Sequence, residues 1–161
     1  MEATLRHSSA PRNQIRPTLV YAGTLFGAVA LDRAYPLRID GDGAGLLQLA
    51  IGGTALAAGT AVVSWCLFLF SRLGTGIMPD RPATHLVTTG PYGRSRHPMF
   101  VGFTAMYVGL ALLLNLTWAL LLLPVVLIVV SITVIRCEEN YMRRTFGSEY
   151  DRYAAHVPRW L

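Results

Sequence analysis

The sequence contains no lysine, and only 14% of its 161 residues are charged, against roughly a quarter in an average soluble domain. That deficit excludes a disordered chain and a coiled coil, both of which need dense charge. Cysteine is as scarce: Cys66 lies inside one apolar run and Cys137 just past another. A disulfide-stapled secreted module is thereby excluded, and neither cysteine has the spacing of a metal site, so no metal is expected. Internal repeats and low-complexity tracts are also lacking. What is abundant is apolar surface. Hydrophobic residues make up 53% of the chain, and in uninterrupted runs they point to a bilayer.

The runs are long enough. From Arg16 to Asp32 the chain is uncharged, and the stretch extends to Leu37 if Asp32 and Arg33 sit near the interface, where charge costs less. A first span is expected over 17–37. A second uncharged run, Gly43 to Ser71, gives a span over 44–70. The third, Pro98 to Ile135, has 38 residues, and one helix of that length would reach about 57 Å at ~1.5 Å per residue, nearly twice the ~30 Å of hydrocarbon. It must fold back. Asn115 is the expected hinge, giving spans over 99–114 and 116–135 with a kink at Pro124. The fold class is therefore all-α, a single integral-membrane domain over 1–161 with about four transmembrane helices, a middle loop over 72–97 and a tail over 136–161.

Charge sets the orientation. With four spans, Arg6, Arg12 and Arg16, four arginines of the middle loop and five of the tail lie on one face, and only Arg33 and Arg38 on the other. By the positive-inside rule both termini and the middle loop face the cytoplasm, as in a multi-pass protein of a plasma or inner membrane. The N-terminal arginines, the apolar stretch and Ala28-Val29-Ala30 also have the form of a cleavable signal peptide. Its removal would leave three spans and strand the new terminus opposite the charge-rich segments, so the retained span is preferred. The net charge of +5 suits membrane lipids. Nucleic acid is not an expected partner, because no basic stripe is interleaved with aromatics outside the apolar runs.

Two segments can carry chemistry. In the middle loop, Gly90-Pro91-Tyr92 is followed by Arg94, Arg96-His97-Pro98, Phe100 and Gly102. A turn followed by Arg-His-Pro at the opening of a span gathers unpaired backbone N–H groups, an arginine and a histidine at the membrane surface. In the tail, Glu138-Glu139 stands about one turn past the last span, ahead of Tyr141, Phe146-Gly147, Tyr150 and Tyr153. Adjacent carboxylates repel, so a chain that keeps both sends them to separate partners or uses one for a cation. The plainer alternatives are lipid anchoring by Arg94 and Arg96, helix capping by His97, and salt bridges from the carboxylates to Arg136, Arg143 or Arg144. On one membrane face the two segments together can hold a ligand that is both cationic and polar. Gly41-Asp42-Gly43-Ala44-Gly45 follows no strand and reads as a turn, and Gly74-Thr75-Gly76 as a helix C-cap.

The run LVTTGPYGRSRHPMFVG, Leu86 to Gly102, and then EENYMRRTFGSEYDRYAAHVPR, Glu138 to Arg159, with an apolar hairpin between them, resembles the isoprenylcysteine carboxyl methyltransferase and phospholipid methyltransferase superfamily of integral-membrane enzymes. The resemblance covers about the last ninety residues. It implies S-adenosylmethionine as cofactor, in a cytoplasmic site formed by the middle loop and the C-terminal helix, and a lipophilic acceptor such as an isoprenylcysteine carboxylate or an amino-phospholipid. Carried over residue by residue, Leu86, Val87, Gly90 and Tyr92 would line the adenosine side, His97, Pro98 and Phe100 would contact the cofactor, and Glu138 and Glu139 would bear on its methionine end. Arg96 would face the acceptor and the cofactor carboxylate, which makes Arg96 and Glu139 the candidate catalytic residues. Three departures stand out: Phe100 replaces a tyrosine, Gly93 and Ser95 stand where bulkier residues are common, and Met142 replaces leucine.

Methyl transfer fits this residue set because it needs no enzyme nucleophile. Alignment of acceptor, methyl and sulfur is worth roughly 7 to 11 kcal/mol, and exclusion of water adds to it. A carboxylate acceptor attacks without losing a proton, with Arg96 to orient it; an amine must first be neutral, and Glu138 or Glu139 can take its proton. The alternatives are a nicotinamide-dependent sterol-type reductase on a related scaffold, for which the chain is short, and a non-catalytic membrane subunit. The sequence leaves acceptor and oligomeric state open, although Gly52-Gly53 and Gly59 give the second span a small-residue face.

Overall fold

The computed structural model of the chain describes residues 16–39, 44–73 and 85–161, and among these every regular element is helical. The glycine runs at 41–45 and 74–76 and the outermost N-terminal arginines fall wholly or mostly outside the described residues. Helix α1 spans Pro17–Ala34, α2 Leu46–Leu73, α3 Pro98–Leu113, α4 Thr117–Val130, α5 Arg136–Phe146 and α6 Ser148–His156. A single 3-10 turn, Gly90–Gly93, precedes α3, and a π turn, Ser131–Ile135, joins α4 to α5.

Proline opens both α1 and α3, where its fixed φ suits a helix start and its missing N–H costs nothing. The third apolar run does fold back at Asn115, which takes φ +51°, a left-handed conformation that asparagine tolerates better than other side-chain-bearing residues. Pro124 sits inside α4 without ending it. Helix α1 stops at Ala34, three residues short of the expected Leu37. Asp32 there is buried, 3.0 Å from Arg38, and accepts the Leu37 N–H, so it closes the helix end locally.

Helices α2 and α3 lie against each other through glycine. A Cβ at Gly59 would come within 2.6 Å of the Gly102 carbonyl oxygen, and one at Gly109 within 2.6 Å of the Leu56 nitrogen, so only glycine permits this approach. Helix α1 packs on α3 and α4, where Tyr21 shares a hydrogen bond with Thr104 (2.9 Å) and its ring meets Phe103 and Tyr107. The core is completed by Ala28, Phe100, Ala111, Ala119, Val126 and Val130.

Two helical stretches are long and apolar enough to cross a membrane, Leu46–Arg72 and Thr117–Phe146; α3 is apolar but shorter. Only 11% and 28% of their apolar windows are buried within the protein, which separates them from the core helices of a soluble domain. The apolar part of the second stretch ends at Ile135, because α5 carries Arg136, Glu138, Glu139, Arg143 and Arg144. The π turn between them inserts one residue into the helical ladder, rotating all that follows by about 100° relative to an unbroken α-helix. That rotation decides which way the two carboxylates face.

Candidate functional site

His97 is the N-cap residue of α3, yet its side chain caps nothing. The Ser95 hydroxyl accepts the His97 N–H at 3.1 Å instead, and the buried imidazole turns toward α5. Its Nδ1 lies 3.4 Å from Glu138 Oε2 and its Nε2 3.5 Å from Glu139 Oε1. The Phe100 ring, one turn on, lies beside it with 5.7 Å between centroids. Arg96, just before, places Nη1 3.0 Å from Glu139 Oε1.

Glu139 has a second cation. Arg159 donates from Nε to Oε1 at 2.9 Å and from Nη2 to Oε2 at 2.6 Å, the two-pronged pairing that a guanidinium makes with a carboxylate. The segment that carries Arg159 is clamped to the start of α3: Arg96 N–H donates to the Pro158 carbonyl at 2.9 Å, and the Ser95 hydroxyl to the Arg159 carbonyl at 3.3 Å. From α6, the Tyr153 hydroxyl donates to the Tyr92 carbonyl at 2.7 Å. These bonds draw the loop before α3 and the tail after α5 into one corner.

Electrostatics follow from this geometry. Burial alone would raise the Glu139 carboxyl, but His97, Arg159 and Arg96 outweigh it and hold the group down at about 2. For His97 burial disfavours the charged ring, and Glu138 and Glu139 together more than reverse that, leaving its pKa raised. The corner thus sets three cations, Arg96, His97 and Arg159, against two carboxylates. Among the described residues the buried Arg96 Nε has no hydrogen-bond partner, and His97 Nε2 faces Glu139 Oε1 alone, at 3.5 Å. An unsatisfied donor on a cationic side chain calls for an anionic or electron-rich ligand, and two guanidinium groups beside Glu139 make the corner ill suited to a divalent cation.

Of the residues singled out from the sequence, the structure brings Arg96, His97, Phe100, Glu138 and Glu139 together, with Pro98 buried at the start of α3. Tyr92 is tied to α6 through its carbonyl, and its ring meets Phe70 of α2 at 5.6 Å. Leu86, half-buried, and Val87, buried, lie on the segment leading in, and Gly90, at φ +62°, backs onto Trp65 and Leu69. The salt bridges weighed for the carboxylates are differently made. Glu139 pairs with Arg96 and Arg159, while Arg143 pairs with Asp151 at 2.8 Å. Arg159 was not singled out, and Ser95 and Tyr153 stood out without these partners. Beside the corner an apolar groove of about 700 Å³ opens between α3, α4 and Trp160.

Described residues whose regular elements are all helical, with two helices long and apolar enough to cross a membrane and a charged corner past the apolar part of one of them, have the form of a membrane protein. The family model of phospholipid methyltransferases matches residues 47–149, nearly two thirds of the chain, and the chain belongs to that family, within the superfamily that includes the isoprenylcysteine methyltransferases. It is similar to the nickel-cobalt-cadmium resistance protein NccN of Alcaligenes xylosoxydans xylosoxydans, 31% identical over 113 residues, 70% of this chain and 49% of that protein. The protein-S-isoprenylcysteine O-methyltransferase of Schizosaccharomyces pombe is 38% identical over 73 residues, 45% of this chain and 31% of that one. Protein-S-isoprenylcysteine O-methyltransferase B of Arabidopsis thaliana is 30% identical over 116 residues, 66% of this chain and 55% of that one. The chain thus spans from about a third to just over half the length of these relatives. No solved structure matches.

Proposed function

We propose that the protein is an S-adenosylmethionine-dependent methyltransferase of a lipophilic acceptor, with four membrane-crossing helices and its site at the cytoplasmic face. The observation that carries this reading is the meeting of Arg96 and His97, from the start of α3, with Glu138 and Glu139, from α5, beside a buried Arg96 Nε that has no partner among the described residues. A cofactor with a carboxylate, an ammonium and a sulfonium needs both signs of charge in one place. When bound, it supplies a methyl group activated by a positive sulfur.

The chain's own residues position and exclude. Arg96 Nε offers a donor to a carboxylate, and the Phe100 ring gives an apolar face beside His97. Leu86, Val87, Gly90 and Tyr92 would hold the adenosine side. Glu139, gripped by two guanidinium groups and held at about 2, stays ionised and fixes Arg96 in place. It is therefore no base. If the acceptor is an amine, Glu138, half-buried beside His97 Nδ1, is the group able to take its proton; if it is a carboxylate, Arg96 orients it and no base is needed.

S-adenosylhomocysteine at a hundredfold excess over Kd should raise the Tm of the detergent-solubilised protein by about 5–10 °C, and His97→Ala or Glu139→Ala should abolish the shift. No shift at millimolar ligand would overturn the reading. Incubation with a labelled methyl donor and a lipid extract then separates enzyme from non-catalytic subunit, because the latter binds without transferring label.

A further inference from the structure

Helix α6 ends at His156, and Val157 leaves it in an extended conformation with its N–H still bonded to the Tyr153 carbonyl. Residues 157–161 belong to no regular element. Pro158 brings no N–H of its own, and among the described residues the contacts that hold this segment down are few. The Arg96 N–H and the Ser95 hydroxyl donate to the carbonyls of Pro158 and Arg159, Arg159 pairs with Glu139, and Trp160, half-buried, packs against the helical core. Leu161 is 86% exposed. A strap with no helical ladder, fastened at a handful of points, opens more easily than the helices beneath it.

The strap matters because of what it does to Glu139. Oε1 of that carboxylate faces Arg159 Nε at 2.9 Å, Arg96 Nη1 at 3.0 Å and His97 Nε2 at 3.5 Å, and its Oε2 faces Arg159 Nη2 at 2.6 Å. An ionised carboxylate has about four acceptor positions, so Glu139 is full, and Arg159 fills two of them. The Arg159 side chain is 40% exposed where that of Glu139 is 8%; the guanidinium reaches in from the solvent side and covers the carboxylate. A ligand ammonium can bind Glu139 only in its place. That exchange is even in charge. A buried carboxylate stripped of its cation is strongly disfavoured, and an incoming ammonium restores what the departing guanidinium removes. A ligand without a cation offers nothing in return.

We propose that residues 157–161 form a latch over the site, with Arg159 standing on Glu139 where the ammonium of a ligand belongs; a ligand that carries its own cation opens the latch, and one without it does not. The identity of that ligand as an adenosyl amino acid rests on the methyltransferase reading above, whereas the latch does not. Arg159 thereby selects for cation-bearing ligands, and the segment that carries it regulates their entry.

The Arg96 amide reports the state of the latch, because its N–H is bonded to the Pro158 carbonyl. In the full chain in nanodiscs, hydrogen exchange at that amide should quicken in propylammonium chloride, the cationic end of a ligand alone, and not in sodium chloride of equal ionic strength. Arg159→Gln removes the competing cation, and Trp160→Ala loosens the strap while leaving Glu139 its arginine. Both variants should quicken exchange at Arg96 about tenfold with no ligand present. Both should also bind decarboxylated S-adenosylhomocysteine, which keeps the ammonium, about fivefold to tenfold more tightly than the unsubstituted protein by calorimetry. Methylthioadenosine, which has no cation, should bind all three proteins alike. Weaker binding of both ligands by both variants would make the segment a wall of the site and overturn the latch, as would an Arg96 amide indifferent to propylammonium. Failure of all three proteins to bind either adenosyl ligand, with propylammonium still quickening exchange at Arg96, would sustain the latch and overturn the methyltransferase reading alone.

Discussion

At the far end of α3, neutral side chains hold the turn, beside the Asp32–Arg38 pair that closes α1. Asn115 Oδ1 accepts the Ile39 N–H at 3.0 Å and the Gln48 amide at 3.2 Å, Gln48 also donates to the Leu112 carbonyl at 2.7 Å, and the Trp118 indole donates to the Tyr35 carbonyl at 2.7 Å. At the near end Arg96, His97, Glu138, Glu139 and Arg159 face one another, and backbone bonds serve to bring them together. Both ends leave buried polar atoms without partners, but of different kinds. Among the described residues Gln48 Oε1 and Thr117 Oγ1 are neutral, whereas Arg96 Nε belongs to a group that carries positive charge. Leaving the second kind bare costs more, which supports the proposal that the near corner takes a ligand, while the far corner holds the hairpin.

Asn115→Ala should break the structural corner and spare the other. Alanine at φ +51° is strained by about 1–2 kcal/mol, and the two donors that Asn115 accepts lose their partner at about 1 kcal/mol each. A destabilisation of about 3 kcal/mol in a thermal melt is expected, with the S-adenosylhomocysteine response per bound ligand unchanged. Loss of that response would show that the two ends are one unit and would end the comparison.

The next effect is smaller and belongs to the charged corner alone. His97 has a raised pKa in the folded protein, so the stability it contributes is complete below its ordinary value of 6.5 and is lost as pH rises through the raised one. Glu139 is lowered from 4.5 to about 2, so its contribution is complete above 4.5 and is lost only as pH falls toward 2. Melting temperatures measured between pH 5 and 9 should therefore decline on the alkaline side, and His97→Gln should flatten that decline. A slope that survives His97→Gln would place its source elsewhere.

The far corner and the helices were readable in the sequence for a plain physical reason: an uncharged run too long for one bilayer crossing must turn, and Asn115 is the residue in it that favours a left-handed backbone. The near corner was readable in part. Arg96-His97 and Glu138-Glu139 stand out as charge at the ends of apolar runs. Arg159 did not, because it lies 20 residues from Glu139, beyond the reach of helical i, i+4 pairing, on a segment that Pro158 removes from any helix. The π turn was equally hidden, since Ser131–Ile135 has the same apolar, β-branched composition as the α-helix before it. The early end of α1 depends on Asp32 finding Arg38 across a turn, a contact that no periodicity announces.

The smallest expected effect tests whether burial, and not charge density, distinguishes the near corner. Arg143 and Asp151 approach to 2.8 Å, closer than Arg96 and Glu139 at 3.0 Å, but both side chains are more than half exposed, where those of Arg96 and Glu139 are 15% and 8% exposed. Water screens such a pair, and ordering two mobile side chains offsets what attraction remains. Asp151→Asn should leave both the melting temperature and the S-adenosylhomocysteine response where they were, at low salt as at high. A clear loss at low salt alone would mean that the outer charges on α5 and α6 act on the site through the field, and the boundary of the functional corner would move out to include them.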